Sequence, residues 1–275
     1  MSQKLRVNIV GIGPGNPDLL TGEARQAIAS SNILIGDKRM LAAFADSSKT
    51  VYDTIKTAAI AEIAAQAQPD KDVLAVLVSG DVGFFSLAKT ISGKLPDCEC
   101  VRYCGISSLV YFSSKLQLSW DDAKIVSAHG RGCNLISHIC YTEKVFSILG
   151  TSDGVAVLAE KLVKYGMGDV LLYVGENLSY ENEKIFAKPA SELTEYKGDS
   201  LSVICAVNEN AGTRLETHGI RDEEFIRGKA PMTKEEVRTV SLSKLRLTAD
   251  SVCYDVGAGT GSLSIEMALR AHQGQ

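Results

Sequence analysis

No apolar run in the chain approaches the roughly 18 residues needed to cross a membrane. The N-terminus enters a strand-like segment almost at once, which predicts no signal peptide. No block of lysine and arginine is present, and the formal net charge is −4 over 275 residues. A protein whose main partner is nucleic acid would carry a basic footprint, so that class is set aside. An anionic substrate would instead need a local basic patch. No C-x-x-C pair exists among the seven cysteines; the closest two are Cys98 and Cys100. Scattered thiols in a chain of this size read as reduced, buried cysteines of a cytoplasmic protein. His138, His218 and His272 have no ligand spacing, so no protein-held metal is expected. Ser/His/Asp and Cys/His nucleophile signatures are missing as well. What is present is ordinary for a soluble chain: 45% apolar and 23% charged residues, and length enough for one or two domains with a sizeable core.

Apolar runs of strand length alternate with helix-period segments. LRVNIVGIG (5–13) reads as a strand entering a glycine turn. NPDLLTGEARQAIASS reads as a helix, with Asn16 as its N-cap and Pro17 in its first turn. Leu19, Leu20, Ala24, Ala27 and Ile28 form its buried stripe. NILIG is a strand, 55–67 a helix, 73–80 a strand, 84–94 a helix, 98–102 a short strand and 106–117 a helix. A second half opens at AKIVSAHG (123–130), a strand into a polar turn. It continues with a strand at 144–150, a helix at 153–165, a strand at 169–177, a short strand and helix in KIFAKPASEL, and a strand at 199–207. Several runs are apolar throughout, as strands buried on both faces require. The fold class is therefore α/β, with two subdomains of about 1–120 and 121–207 and mixed, mostly parallel sheets. Residues 208–230 are polar and aperiodic and read as a linker. After Pro231 a helix resumes with Val237, Val240, Leu242 and Leu245 as its apolar positions, followed by a strand SVCYDV (251–256).

Two glycine-rich turns stand out. GIGPGNP (11–17) would ordinarily suggest dinucleotide binding. Its spacing is G-x-G-x-G, however, and Pro14 and Pro17 remove two N–H groups from the stretch that should cradle a pyrophosphate. A ligand without phosphates, such as S-adenosylmethionine, suits it better; a tight turn with no ligand is the alternative. DVGAGTG (255–261) matches the first motif of Rossmann-like methyltransferases, where glycines allow close backbone approach to the ligand. Such a site needs a second strand with a carboxylate about 20 residues on, but only 14 residues follow Gly261 (275 − 261). The unit reads as an incomplete Rossmann-like start, and 231–275 is expected to be partly disordered.

SGDVGFFS (79–86) follows the strand ending at 78. Ser79, Gly80 and Asp81 would sit at its carboxyl end, where open α/β sheets bind ligands. Asp81 would attract a sulfonium cation or accept a ligand hydrogen bond, or else cap the helix 84–94. Val82 and Phe84 would wall an adenosine or methionine moiety. In CGISSLVYF (104–112), Ser107 and Ser108 would cap a helix or touch the ligand.

Together and in this order, GIGPGNPDLLT, SGDVGFFS and CGISS resemble the tetrapyrrole methylase family over roughly residues 5–207. The family carries proline where Val82 stands and before GISS where Cys104 stands; both departures alter loop stiffness more than ligand chemistry. The resemblance implies the tetrapyrrole methylase fold, with a cofactor cleft between the subdomains and S-adenosylmethionine as cofactor. By family position Pro14, Ser79, Gly80, Asp81, Phe84, Ser107, Ser108, Leu149 and Asn177 would line that cleft. LVYFSSKLQLSWDDAKIVSAHGRG and YVGENLSYENEKI are similar to the branch that methylates C5 of the corrin ring in cobalamin synthesis. MTKEEVRTVSLSKLRLTADSVCYDVGAGTGSLSIEMA is similar to the opening of a second methyltransferase, often fused to it, which methylates C15 and removes a carboxyl group; here it would be cut short.

The resemblance thus implies a precorrin or cobalt-precorrin acceptor, any cobalt belonging to that substrate, and a cytoplasmic homodimer. Methyl transfer is an in-line displacement that needs positioning and water exclusion rather than a nucleophilic side chain. The acceptor's carboxylates are best matched by arginine. His129 and Arg131 in SAHGRG are the catalytic or substrate-cleft candidates, and Lys38 and Arg39 in GDKRM the second ones. The plainer alternatives are a hydrogen-bonded loop histidine and a solvated surface pair. Tyr111 and Tyr180 read as core or rim packing, with a place in the cleft as the alternative. Members acting on uroporphyrinogen, ribosomal RNA or a modified protein histidine give rival substrates, and an idle cofactor-binding module a rival class.

Overall fold

A computed structural model describes residues 4–129, 133–213, 217–226 and 228–275. In its first unit β1 (Arg6–Gly11), α1 (Gly22–Ala29), β2 (Ile33–Gly36), α2 (Lys38–Leu41), β3 (Thr50–Asp53), α3 (Thr57–Gln66), β4 (Val73–Val78), α4 (Ala88–Lys94), β5 (Glu99–Tyr103) and α5 (Ser108–Leu116) follow one another. The strands make one parallel sheet in the order β3-β2-β4-β1-β5. Its central strands are apolar on both faces because helices cover both. Val7, Ile9, Leu74 and Val76 pack with Ile60 of α3 and Ile91 of α4. Val10, Ala75 and Leu77 face the other way, toward Ala24, Ala27 and Ile28 of α1.

Two helix starts differ from the sequence reading, and α2, β3 and the helix at Leu135–Tyr141 have no counterpart in it. Asn16 and Pro17 start only a single 3₁₀ turn, and Leu20 is extended, so α1 begins at Gly22 with Thr21 Oγ1 accepting from Ala24 N at 3.2 Å. The helix expected from 84 begins at Ala88. β3 carries no apolar alternation because all four of its residues are exposed at the sheet edge.

The second unit contains β6 (Lys124–Ser127), α6 (Leu135–Tyr141), β7 (Lys144–Ile148), α7 (Gly154–Lys164), β8 (Leu171–Glu176), β9 (Lys184–Pro189) and β10 (Ser202–Val207). The sheet order is β6-β7-β10-β8-β9. β6 and β7 are parallel, whereas β10 runs antiparallel to both β7 and β8, and β8 to β9. With four parallel pairings in the first sheet and one here against three antiparallel, parallel pairing dominates. One face packs on α6 and α7 through Ile139, Leu158, Leu162, Leu172, Val174 and Ile204. The other receives α5 of the first unit: Phe112 is fully buried against Phe146, Leu178 and Val203, its ring centre 6.4 Å from that of Phe146. This shared core joins the two units.

At the end of β8, Glu176 is buried and accepts from the Tyr196 hydroxyl at 3.0 Å and from Asp199 N at 2.9 Å. Burial pushes the Tyr196 phenol up to about 12, and the hydrogen bond to Glu176 adds to this. An unfolded tyrosine ionises near pH 10, so the folded state holds this proton more tightly. Its contribution to stability is complete below about pH 10 and is lost as pH rises toward about 12. In denaturant titrations across that window, wild-type protein is expected to lose stability more steeply than Tyr196→Phe. Parallel curves would refute the assignment.

A short tail holds a 3₁₀ turn at Asp222–Glu224, α8 (Glu235–Leu245) and α9 (Ser262–Arg270). The strand expected at 251–256 does not form, and Val252, Tyr254 and Val256 are exposed. No neighbouring strand offers a ladder; Cys253 N and Ser251 O instead pair with the backbone of Gln275, at 2.7 and 3.2 Å. On α8, Leu242 alone of the four expected apolar positions is buried, while Val237, Val240 and Leu245 are exposed. The side chain most buried on α8 is that of Arg238. Its Nε donates to Glu266 Oε1 at 2.9 Å, Nη1 to Asp222 Oδ1 at 2.6 Å and Nη2 to Ile220 O at 2.5 Å. The Phe225 ring lies 4.7 Å from its guanidinium, and Gly219 N donates to Glu266 Oε2 at 2.9 Å. Residues 219–225, grouped by composition with a linker, are thus tied to α8 and α9.

Candidate functional site

A cavity of about 360 Å³ lies between the two units, at strand ends of both sheets. Ligand sites commonly span roughly 300–1,000 Å³. The first sheet contributes residues just past its strands' carboxyl ends: Pro14 after β1, Asp37 and Arg39 after β2, and Ser79 and Gly80 after β4. The second contributes His129 after β6, Leu149 after β7 and Asn177 after β8. β10 runs the opposite way, so its beginning, Ser200–Val203, meets the same cavity.

Glycines bring the loops of the first unit into contact. Gly13 and Gly80 exchange backbone hydrogen bonds of 3.1 and 2.9 Å. A Cβ on Gly105 would stand 2.3 Å from Gly80 O and 2.5 Å from Gly11 O. Gly11, Gly13 and Gly105 serve loop-to-loop approach, whereas Gly80 both meets them and lines the cavity. Asp81 reinforces them, its Oδ1 accepting from Gly105 N at 3.1 Å and its Oδ2 from Gly83 N at 2.7 Å.

Of the nine cofactor positions expected from the sequence, Pro14, Ser79, Gly80, Phe84, Ser108, Leu149 and Asn177 line the cavity together. Asp81 and Ser107 do not. Asp81 is occupied by the loop contacts just given, and it does not cap α4. Ser107 is buried and caps α5, its Oγ accepting from Val110 N at 3.2 Å. His129 lines the cavity with its ring against Gly150. Arg131 lies outside the described residues. Arg39 reaches the cavity and Lys38 does not; Tyr180 reaches it and Tyr111 does not. Burial pushes the Tyr111 phenol up to about 12, with Glu183 as its hydrogen-bond partner.

Sequence reasoning missed Asp37, Thr54, Ile55, Phe85, Leu87 and the 200–203 segment. Thr54 and Ile55 follow the exposed edge strand β3, which carries no periodic signal. The 200–203 segment precedes its strand, and nothing local announces that β10 is antiparallel.

Asp37 and Arg39 are the acidic and basic side chains on the lining, and the rest is aliphatic, aromatic, hydroxyl or amide apart from His129. Such a wall does not suit a polyphosphate, and Pro14 has no N–H to offer one. It suits a nucleoside-sized ligand of little net negative charge. Asn177 is held by its own hydrogen bonds, Nδ2 to Asp199 Oδ2 and N to Leu201 O, each 3.0 Å. The Asn177 amide, helped by Leu201 N, holds the Asp199 carboxyl below the usual carboxylate range. Among the described residues no group of three or more His, Cys, Asp or Glu side chains gathers to hold a metal, and no helix is long and apolar enough to cross a membrane.

Residues 6–194 match the family model described as Tetrapyrrole (Corrin/Porphyrin) Methylases, and 224–275 match one described as Precorrin methyltransferase domain. A precorrin-6Y C(5,15)-methyltransferase (decarboxylating) of a Sinorhizobium species is 28% identical over 271 residues, 96% of this chain and 64% of that protein. The chain therefore spans less than two thirds of that relative's length. A probable cobalt-precorrin-7 C(5)-methyltransferase of Methanocaldococcus jannaschii is 33% identical over 196 residues, 68% of this chain and 90% of the relative. The solved structure of the methyltransferase CobJ superposes with a TM-score of 0.63 at 17% identity, covering 74% of this chain and 95% of that one. A likeness at that identity speaks to the fold.

Proposed function

The chain belongs to the tetrapyrrole methylase family, and from that membership we propose that it transfers a methyl group from S-adenosylmethionine to C5 of a precorrin or cobalt-precorrin ring. The observation that carries the proposal is the cavity between the sheets, where seven of the nine family positions converge on a wall unsuited to phosphates. Pro14, Ser79, Gly80 and Phe84 of the first unit, with Leu149 and Asn177 of the second, would hold the cofactor. Bound there, it supplies a methyl group already activated by the sulfonium charge. Ser79 and Ser108 offer hydroxyls that orient a ligand, and Phe84, Phe85 and Leu87 exclude water from the reacting pair. Asp81 and Ser107 hold the loops that carry these groups. His129, the cavity's imidazole, would accept a ring proton or donate to an acceptor carboxylate. The C5 step is assigned to residues 1–207, with no part for 224–275. The reading extends to a cytoplasmic homodimer; a monomer in sedimentation equilibrium would remove that part.

Calorimetry is expected to show binding of S-adenosylmethionine and of its demethylated product. Incubation with cofactor and a precorrin lacking the C5 methyl should yield one added methyl, placed on C5 by NMR, with no loss of carboxyl mass. Failure to bind either cofactor form would sink the enzyme reading. Cofactor binding without transfer would direct the search to another tetrapyrrole.

A further inference from the structure

Arg39 is the basic side chain on the cavity wall apart from His129, and both units hold it. Its backbone N donates to Asp37 Oδ1 at 3.0 Å, and its Nε stands 4.0 Å from the same oxygen. Its guanidinium lies 5.3 Å from the centre of the Tyr180 ring, and its Nη1 donates to the Tyr180 hydroxyl. Tyr180 arrives from across the cleft, on the loop between β8 and β9. That loop is pinned to the first unit by Asn16 N, which donates to Ser179 Oγ at 2.9 Å. Asn177 and Ser179 both take left-handed φ values, 48° and 66°, a strain that persists only where the surroundings enforce it. Gly15 completes the seat. Its φ is 151°, and a Cβ there would stand 2.2 Å from Tyr180 Cζ. The last glycine of GIGPG therefore makes room for Tyr180.

A guanidinium offers five N–H donors in a fixed fork. Tyr180 and Asp37 engage Nη1 and Nε, while among the described residues Nη2 has no hydrogen-bonded partner. The side chain is 35% exposed at the cavity rim. An ordinary surface ion pair needs no aromatic shelf reaching over from another unit. The contacts of Nη1 with Tyr180 and of Nε with Asp37 restrict the plane of the fork, and a restricted plane is what two-point recognition of a carboxylate requires. We propose that Arg39 binds a peripheral carboxylate of the tetrapyrrole acceptor, and that Tyr180, seated on Gly15, is its positioning residue. This rests on the acceptor class proposed above. The methionine carboxylate of the cofactor has the same chemistry, but Arg39 stands at the exposed rim, where a macrocycle too large for the cavity would lie.

The test is steady-state methyl transfer to the precorrin lacking the C5 methyl, with cofactor affinity measured separately by calorimetry. Arg39→Leu is expected to raise the acceptor KM about 10- to 100-fold, the effect of losing a charge-assisted hydrogen bond, while the cofactor Kd stays within about twofold. Arg39→Lys keeps the charge, loses the fork and recovers part of the loss. Tyr180→Leu and Gly15→Ala move the same KM in the same direction, and Tyr180→Phe, which keeps the shelf, restores most of it. An Arg39→Leu enzyme with wild-type acceptor KM overturns the proposal. A change confined to cofactor Kd assigns Arg39 to the cofactor and overturns it equally. Wild-type protein that binds cofactor but methylates no precorrin defeats the acceptor reading itself, an outcome visible before any variant is made.

Discussion

Replacing Gly105 with alanine is expected to weaken S-adenosylmethionine binding by at least about 100-fold, equivalent to about 2.7 kcal/mol. The added Cβ would land on two backbone carbonyls, 2.3 Å from Gly80 O and 2.5 Å from Gly11 O. Neither can rotate aside as a side chain would. Gly11 ends β1, an inner strand held between β4 and β5, and Gly80 is tied to Gly13 by two backbone hydrogen bonds. The loops must separate, and they carry Pro14, Ser79, Gly80 and Ser108, four of the proposed cofactor contacts. Overpacking of this kind also costs stability, typically about 1–3 kcal/mol. Gly93→Ala is the control. It lies in α4 with nothing within 4 Å of its would-be Cβ, so alanine there should leave affinity unchanged and stabilise by roughly 0.5–1 kcal/mol. Calorimetry with thermal melts of the two variants decides the matter. Wild-type affinity in Gly105→Ala would show that the contact between the three loops does not shape the site.

Arg238→Ala is expected to release the tail while sparing the rest. The substitution leaves the Asp222 and Glu266 carboxylates, both buried, without their guanidinium partner. Removing one member of a buried ion cluster costs roughly 3–5 kcal/mol, because the remaining charges stay desolvated. The penalty should fall locally. The network joins Asp222, α8 and α9, whereas the apolar clusters of both units are drawn from residues 5–207. Amide exchange should therefore lose protection in α8 and α9 and keep it in β1, β4 and β10, with methyl transfer to C5 retained. In the wild-type protein, exchange should be fast at 251–256, where no ladder forms, and slower in the flanking helices. Cooperative loss of protection across the whole chain, with loss of activity, would show that the tail is part of the catalytic fold.

Much of this architecture is legible in the sequence. β1, β4, β8 and β10 announce themselves because strands covered on both faces must be apolar along their length. The carboxyl-end rule for open sheets pointed to Ser79 and Gly80, and the family resemblance to Pro14, Leu149 and Asn177; all five line the cavity. The same rule overlooked 200–203, since the direction of β10 is set by which neighbours it pairs with. Residue type and spacing single out Asp81 and Ser107 as strongly as Ser79 and Ser108. Which of them faces the cavity depends on distances of a few ångströms between loops far apart in the chain.

Local pattern and tertiary context part company most clearly in two places. SVCYDV has the composition of a strand, but a strand exists only when another supplies its hydrogen bonds, and none does here. The helix at 235–245 shows an apolar stripe by period, yet its buried position belongs to Arg238, because acidic partners 16 residues before it and 28 after it fold around the guanidinium. By itself the sequence determined the long apolar strands and most of the longer helices of the two units, and several of the loops at the cleft, because burial periodicity and glycine and proline stereochemistry act over a few residues; it did not show α2, β3 or α6. Only the tertiary structure decided the direction of β10, the seat of Tyr180 on Gly15, the orientation of Arg39 and the burial of Arg238, because each depends on groups brought together across the chain.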